Sequence, residues 1–145
     1  MPMPELDELY QAIILEHNKR PRHYGPLEAA THQAEGYNPL CGDRVTVQLS
    51  LREGRIDALR FESASCAICR ASASLMAEAL QGAPAETAAS LGSRVDALLG
   101  PDGPEPVESD GELAALAGVR RFPARVKCAR LPWQTLRDAL GRDDA

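Results

Sequence analysis

Apolar positions near the start of the chain repeat at the three- and four-residue spacing of one helix face. They predict an amphipathic first helix, ending before Pro21, whose repeating face carries Leu6, Leu9, Tyr10, Ile13, Ile14 and His17. Residues 20–26 include two prolines and a glycine, so we expect a loop there.

Strict alternation of apolar and polar residues follows in the middle of the chain. Residues 44–51 predict a half-buried strand, with one face formed by Val45, Val47, Leu49 and Leu51. Gly54 lies in a short connection where a hairpin needs positive φ, and residues 56–62 are expected to be the returning strand. Residues 31–36 predict a third strand.

Helix-forming residues dominate much of the second half. Residues 70–80 are rich in Ala, Leu, Met and Glu and predict a helix that Gly82 ends. Residues 84–99 predict another helix and residues 112–118 a short one. Around residues 100–111, prolines, glycines and acidic residues predict an exposed, mobile insertion loop.

A last helix is indicated by apolar residues near the C-terminus. Its markers are Trp133, Leu136 and Leu140, with Pro132 near the expected first turn. The whole pattern predicts an α+β fold, a small antiparallel sheet of about three strands with helices packed on one face.

Composition narrows the classes of function. A chain of 145 residues suits a single domain covering residues 1–145, and at 44% apolar residues it can build a core. The net charge of −5 and the lack of a basic run argue against nucleic acid as a partner. We also expect no membrane span and no signal peptide, hence a cytoplasmic protein whose cysteines bind metal or catalyse.

The cysteines lie in three separate segments. Cys41 stands in a Pro-x-Cys-Gly-Asp loop, where Gly42 lets Cys41 and Asp43 point at one centre, although a plain turn into a strand fits these residues equally. Cys66 precedes a helix whose N-terminus favours a thiolate. Cys128 is expected at or just before the last helix, where the same argument applies.

Together these residues can form one four-ligand metal site. Three thiolates and Asp43 suit tetrahedral zinc, whereas a fourth thiol, Cys69, leaves an iron–sulfur cluster open. Nearby bases would offset the negative charge of the site: Arg44, Arg70, Arg125, Lys127 and Arg130. The histidines are weaker candidates, since we expect His17 at the edge of the core or on the surface.

Several motifs occur in a characteristic order. They are Leu9-Tyr10, His17-Asn18, Arg20-Pro21-Arg22, Asn38-Pro39-Leu40-Cys41-Gly42-Asp43, Cys66 before Ala71-Ser72-Ala73-Ser74, and Lys127-Cys128. This combination resembles the IscU/NifU family of iron–sulfur cluster assembly proteins, over nearly the whole chain. Lys127, where scaffold-type members carry histidine, and the insertion around residues 100–111 favour its SufU branch.

The resemblance implies a zinc site and a role in sulfur transfer. The ligands would be Cys41, Asp43, Cys66 and Cys128. Cys41 would accept sulfur from a SufS-type, pyridoxal-phosphate-dependent cysteine desulfurase, for delivery to downstream iron–sulfur scaffold proteins. Arg125 would stabilise the thiolate or persulfide. Whether such a carrier counts as an enzyme stays open.

Two other functions remain as alternatives. In the first, the chain is a scaffold for a [2Fe–2S] cluster. In the second, it is a thiol redox module that uses the Cys66-x-x-Cys69 pair. SufU-like chains usually carry a small polar residue where this chain has Cys69. That thiol is therefore an inert core residue, a spare ligand or half of a dithiol.

Overall fold

The structure, a computed structural model, describes residues 4–141. Its elements in chain order are α1 (Pro4–Lys19), β1 (His32–Asn38), β2 (Asp43–Arg52), β3 (Arg55–Ala64), α2 (Ala67–Leu80), α3 (Ala85–Leu99), a 3-10 segment (Glu108–Arg121) and α4 (Pro123–Gly141). The predicted first helix is confirmed as α1. The side chain of Leu6 lies outside the described residues.

The three strands form one antiparallel sheet in the order β1-β2-β3. The predicted β2–β3 hairpin is confirmed: Glu53 and Gly54 have φ of 52° and 77°, the positive values that a tight hairpin turn requires. At the opposite end of the sheet, Asn38 pairs with Asp43 and Arg44 pairs with Ala64. The Cys41 loop and the exit from β3 toward α2 therefore lie side by side.

One face of the sheet forms the core with the helices. Its inward side chains are nearly inaccessible, namely Val45, Val47, Leu49, Ile56, Leu59 and Phe61. Helix α4 packs on β1 and α2, and α1 packs on α2. The α+β architecture predicted from the sequence is confirmed. In the described part of the chain, no helix is both long and apolar enough to span a membrane.

Helix α4 begins earlier than the sequence indicated. We expected Pro132 near its first turn, but Pro132 lies inside a helix that starts at Pro123. Pro132 cannot donate a hydrogen bond to the carbonyl four residues earlier. Contacts with α2 hold the helix at this turn: the buried Ser72 hydroxyl donates to the Ala129 carbonyl at 2.6 Å and accepts from Trp133 Nε1 at 3.1 Å.

The region after α3 also departs from the expectation. Only residues 100–107 form the loop, because a 3-10 segment begins at Glu108 and replaces the predicted short helix. Arg120 donates to the Pro104 carbonyl at 3.0 Å, and Arg94 binds both carboxylate oxygens of Asp110. The loop is exposed as predicted, and these contacts anchor it at both ends.

Candidate metal centre

The Cys41 loop is shaped by its own side chains. Asn38 Oδ1 accepts a hydrogen bond from the Leu40 N–H at 3.1 Å, a local side-chain turn. Asn38 Nδ2 lies 3.5 Å from Cys41 Sγ, and Gly42 adopts a φ of 76°. The loop thus holds Cys41 exposed at the end of the sheet. Asn38 is a positioning residue for which we had predicted no role, although its place before a Pro-x-Cys-Gly turn is a recognisable signal.

Asp43 lies directly beneath this loop, at the first position of β2. Its side chain is buried, and Oδ1 accepts a hydrogen bond from the Cys66 backbone N–H at 2.9 Å. Cys66 is the N-cap of α2, so the carboxylate sits at the positive end of that helix. The Cys66 Sγ atom lies 3.8 Å from Asp43 Oδ2.

Cys128 approaches from α4 and is fully buried. Its Sγ atom lies 3.6 Å from Cys41 Sγ. Helix α4 reaches this position by passing very close to β1, where a side chain at Gly36 would collide with Thr135 Oγ1. We expected Cys128 at or just before the start of the last helix. That placement is wrong, because Cys128 lies in the second turn, where the helix dipole no longer favours a thiolate in particular.

Three of the four predicted ligands therefore meet in one group. Ligand atoms of Cys41, Asp43 and Cys128 all lie within 4.8 Å of one another, and Cys66 adjoins the group through Asp43. Tetrahedral zinc, with Zn–S bonds of about 2.3 Å, requires sulfur atoms separated by about 3.8 Å. The separation of 3.6 Å between Cys41 and Cys128 fits this geometry.

Burial shapes the protonation of the thiols. It raises the pKa of Cys128 well above the usual value of a thiol, with further contributions from hydrogen bonds to Asp43, Cys41 and Cys66. The pKa of Cys69 is raised to about 12, mainly by burial, against an opposing hydrogen bond from Ser65. Without a cation these groups stay protonated, and a bound metal ion would deprotonate its ligands.

Of the five basic residues expected near the thiols, one is found in contact with them. Arg125 interacts with Cys128, and this hydrogen bond, with the nearby Cys66, raises the guanidinium pKa. Arg44 instead stacks on Tyr37 at 4.9 Å and Arg70 on Tyr24 at 5.0 Å. Arg130 pairs with Asp96 at 3.3 Å. Lys127 is exposed on the surface of α4.

The histidines are engaged elsewhere. His17 Nδ1 lies 2.7 Å from Ser74 Oγ and Nε2 lies 3.1 Å from Glu112. The expectation that His17 lies at the core edge or surface is wrong, because its side chain is fully buried. The position of His17 on the apolar face of α1 was the sequence feature that indicated its burial. His23 contacts Glu78 and His32 contacts Thr31, so histidine is not part of the Cys–Asp group in the described residues.

A protein-family model decides the classification. The model of the NifU-like N-terminal domain matches residues 9–129, which include all four predicted ligands. The chain belongs to the NifU-like N-terminal domain family.

Individual members of this family are similar along almost their whole length. The zinc-dependent sulfurtransferase SufU of Bacillus subtilis is 36% identical over 141 residues, covering 96% of this chain and 94% of the relative. The iron–sulfur cluster assembly scaffold protein IscU of Streptococcus pyogenes is 35% identical, covering 98% and 89%.

A solved structure of the family shares the fold. It is described as a putative iron–sulfur cluster assembly scaffold protein for the SUF system, from Fervidobacterium islandicum. The two chains are 30% identical and superpose with a TM-score of 0.82, over 88% of this chain and 93% of the other. The resemblance predicted from the sequence motifs is thereby confirmed.

Proposed function

We propose that this chain is an iron–sulfur cluster assembly protein of the SufU type, which binds zinc and carries sulfur on Cys41. The zinc ligands would be Cys41, Asp43, Cys66 and Cys128. The observation that carries the proposal is the contrast between two thiols 3.6 Å apart, the exposed Cys41 on a loop and the buried Cys128 on a helix. A buried ligand holds an ion, and an exposed one can also meet a partner.

The chemistry of transfer follows from the position of Cys41. A Cys41 thiolate attacks the outer sulfur of a persulfide on the partner, a bond forms between Cys41 and that sulfur, and the partner's cysteine leaves as a thiolate. The Arg125 guanidinium, beside these thiols, would stabilise the negative charge on the thiolate and on the new persulfide. Zinc, when bound, would supply charge neutralisation that keeps the thiols deprotonated.

A partner that carries a persulfide is a pyridoxal-phosphate-dependent cysteine desulfurase of the SufS type. The name of the B. subtilis relative, a zinc-dependent sulfurtransferase, supports this choice. We place the exchange in the cytoplasm, with downstream iron–sulfur scaffold proteins as the recipients of the sulfur.

The test is desulfurase turnover with and without this protein. We expect the native chain to increase alanine production many-fold, and Cys41→Ser to abolish the increase because serine cannot form a persulfide. Cys69→Ser is the matched control, since it changes a buried thiol outside the proposed ligand set, and it should stimulate normally. Normal stimulation by Cys41→Ser would overturn the proposal.

A second candidate is a scaffold that builds a [2Fe–2S] cluster. The S. pyogenes relative, named a scaffold at 35% identity, favours it. Metal and acid-labile sulfide analysis of anaerobically purified protein separates the two. About one zinc without sulfide supports the carrier, whereas iron with equal sulfide and a brown colour supports the scaffold.

A further inference from the structure

One cysteine lies beside the proposed centre without a role in it. Cys69 is completely buried and follows Cys66 by three residues. Cys66 itself is half-buried. The sulfur-transfer proposal uses Cys66 only as a ligand and does not use Cys69 at all.

The fold places this pair close together at the start of α2. Cys66 is the N-cap of α2, with extended backbone angles (φ −71°, ψ 167°), and Cys69 is the third residue of the helix. Side chains three apart at a helix start lie on the same face, with Cβ atoms about 5–6 Å apart. A disulfide needs Cβ atoms about 3.5–4.5 Å apart, which a small rotation at the non-helical N-cap can provide.

The surroundings of the pair make the two thiols unequal. The Cys66 sulfur lies at the start of α2 on a half-buried residue, so a small disulfide in solution can reach it. Cys69 sits deeper, below Ser65, which hydrogen-bonds to it. Cys66 is therefore suited to attack an incoming disulfide, and Cys69 to resolve the product.

We propose that Cys66 and Cys69 form a reversible disulfide that removes Cys66 from the metal centre. The oxidant is a small disulfide such as glutathione disulfide. Cys66 attacks it and releases one glutathione thiolate. Cys69 then attacks the Cys66 sulfur, loses its proton and releases the second glutathione. Two electrons have passed from the two protein thiols to glutathione disulfide, and only Cys41, Asp43 and Cys128 remain as ligands.

The disulfide itself does not depend on the proposed function, whereas its competition with zinc rests on the proposed ligand set. The pair can be followed directly because trypsin releases both cysteines in one peptide, residues 61–70. Cys41 and Cys128 leave in other peptides, residues 23–44 and 128–130. The experiment equilibrates zinc-free and zinc-loaded full-length protein in glutathione redox buffers, traps free thiols with an alkylating agent, and measures the three peptides by mass spectrometry.

We expect the 61–70 peptide of zinc-free protein to lose two hydrogens as the buffer becomes oxidising. Free zinc at 100 times its dissociation constant should shift this equilibrium about 100-fold toward the dithiol. In Cys69→Ser the second step is blocked, so a mixed disulfide of Cys66 with glutathione should accumulate. Cys69→Ala repeats the test in case a buried serine destabilises α2.

Two results would overturn the inference. One is a 61–70 peptide that stays a dithiol while Cys41 and Cys128 become oxidised to each other, which their short separation allows. The other is a 61–70 peptide of zinc-free native protein that keeps a mixed disulfide of Cys66 with glutathione, because this would mean that Cys69 cannot reach the Cys66 sulfur. Desulfurase stimulation by the reduced native chain tests the sulfur-transfer proposal separately, so failure of one is distinguishable from failure of the other.

Discussion

Four side chains of the centre differ in how firmly they are held. Asp43 is buried and bonded to the N-terminus of α2, and Cys128 is buried within α4. Cys41, by contrast, stands on a turn whose neighbour Leu40 is 77% exposed. Burial of a ligand limits its movement, so Cys41 is the ligand best able to reach a partner protein. This asymmetry suits transfer chemistry better than a purely structural zinc site, whose ligands are normally all enclosed.

Arg125 is the base whose removal should affect transfer without emptying the site. We expect Arg125→Gln to lower the sulfur-transfer rate about tenfold, the scale of one charge-assisted hydrogen bond to a developing thiolate or persulfide. Zinc content should stay near one per chain, because Arg125 is not a proposed ligand. The measurement is the single-turnover rate of persulfide formation on Cys41, read by mass spectrometry.

Lys127→Gln is the matched control for Arg125. It removes the same charge from the same helix, at an exposed residue next to Cys128. If the two variants lost the same fraction of the sulfur-transfer rate, Arg125 and Lys127 would act only through their overall positive charge, by attracting an acidic partner. In that case the specific role of Arg125 would be wrong.

At the scale of elements, the centre arises because two connections and one helix meet at one end of the sheet. The β1–β2 turn carries Cys41, the β3–α2 junction carries Cys66, and α4 crosses over β1 to bring Cys128. Local patterns predicted β2, the hairpin and α2 well, since alternation and helix stop signals are short-range. They could not predict where α4 starts, because the bonds of Ser72 to Ala129 and Trp133, on either side of Pro132, form only in the folded chain.

The same limit applies to the centre itself. The motif around Cys41 indicated a ligand, and the order of the cysteines indicated a shared site. The roles of the surrounding bases were not predictable, because Arg44 and Arg70 find aromatic rings that only the tertiary fold brings near. The burial of His17 was not predictable either, because its partners Ser74 and Glu112 come from two later elements of the chain.

The contact between α3 and the 3-10 segment gives a prediction about pH. Arg94 binds Asp110 through two hydrogen bonds of 2.7 and 2.8 Å, and this holds the carboxyl pKa below its usual value. The stabilisation is therefore present above the pKa of an unfolded aspartate and is lost as pH falls through the lower folded pKa. We expect Asp110→Asn to lower the free energy of unfolding at pH 7, with the difference from native shrinking below about pH 4.

Glu105→Gln provides the comparison for this pair. Glu105 lies on the loop just before the 3-10 segment and contacts Arg120 at 3.7 Å, but its side chain is 89% exposed. A surface pair of this kind contributes little, so urea denaturation should show almost no change at any pH. If Asp110→Asn behaved like Glu105→Gln, the Arg94 contact would not be what anchors the end of the loop.

For the whole molecule, the question is whether zinc holds the fold together or only completes the centre. The apolar core lies between the sheet and the helices, and its large members include Phe61, Met76, Leu116 and Leu136. Of the four proposed ligands, only Cys128 is a buried member of this core. A core of this kind can fold without metal. We therefore expect chelation of zinc to leave the far-ultraviolet circular dichroism largely unchanged while the thermal midpoint falls.

The size of that fall follows from linkage. Free zinc at 1,000 times its dissociation constant stabilises the native state by about 4 kcal/mol, or about 10 °C for a chain of this length. Asp43→Ala should lose most of the zinc-dependent shift, and Cys69→Ser should keep it. Collapse of the helical signal on chelation would make zinc a structural requirement. The loss of desulfurase stimulation in Cys41→Ser would then have to be compared with the folded fraction of that variant. Retention of the helical signal would leave the exposed Cys41 thiol on a folded, metal-free domain, the state in which the Cys66–Cys69 disulfide is expected to form.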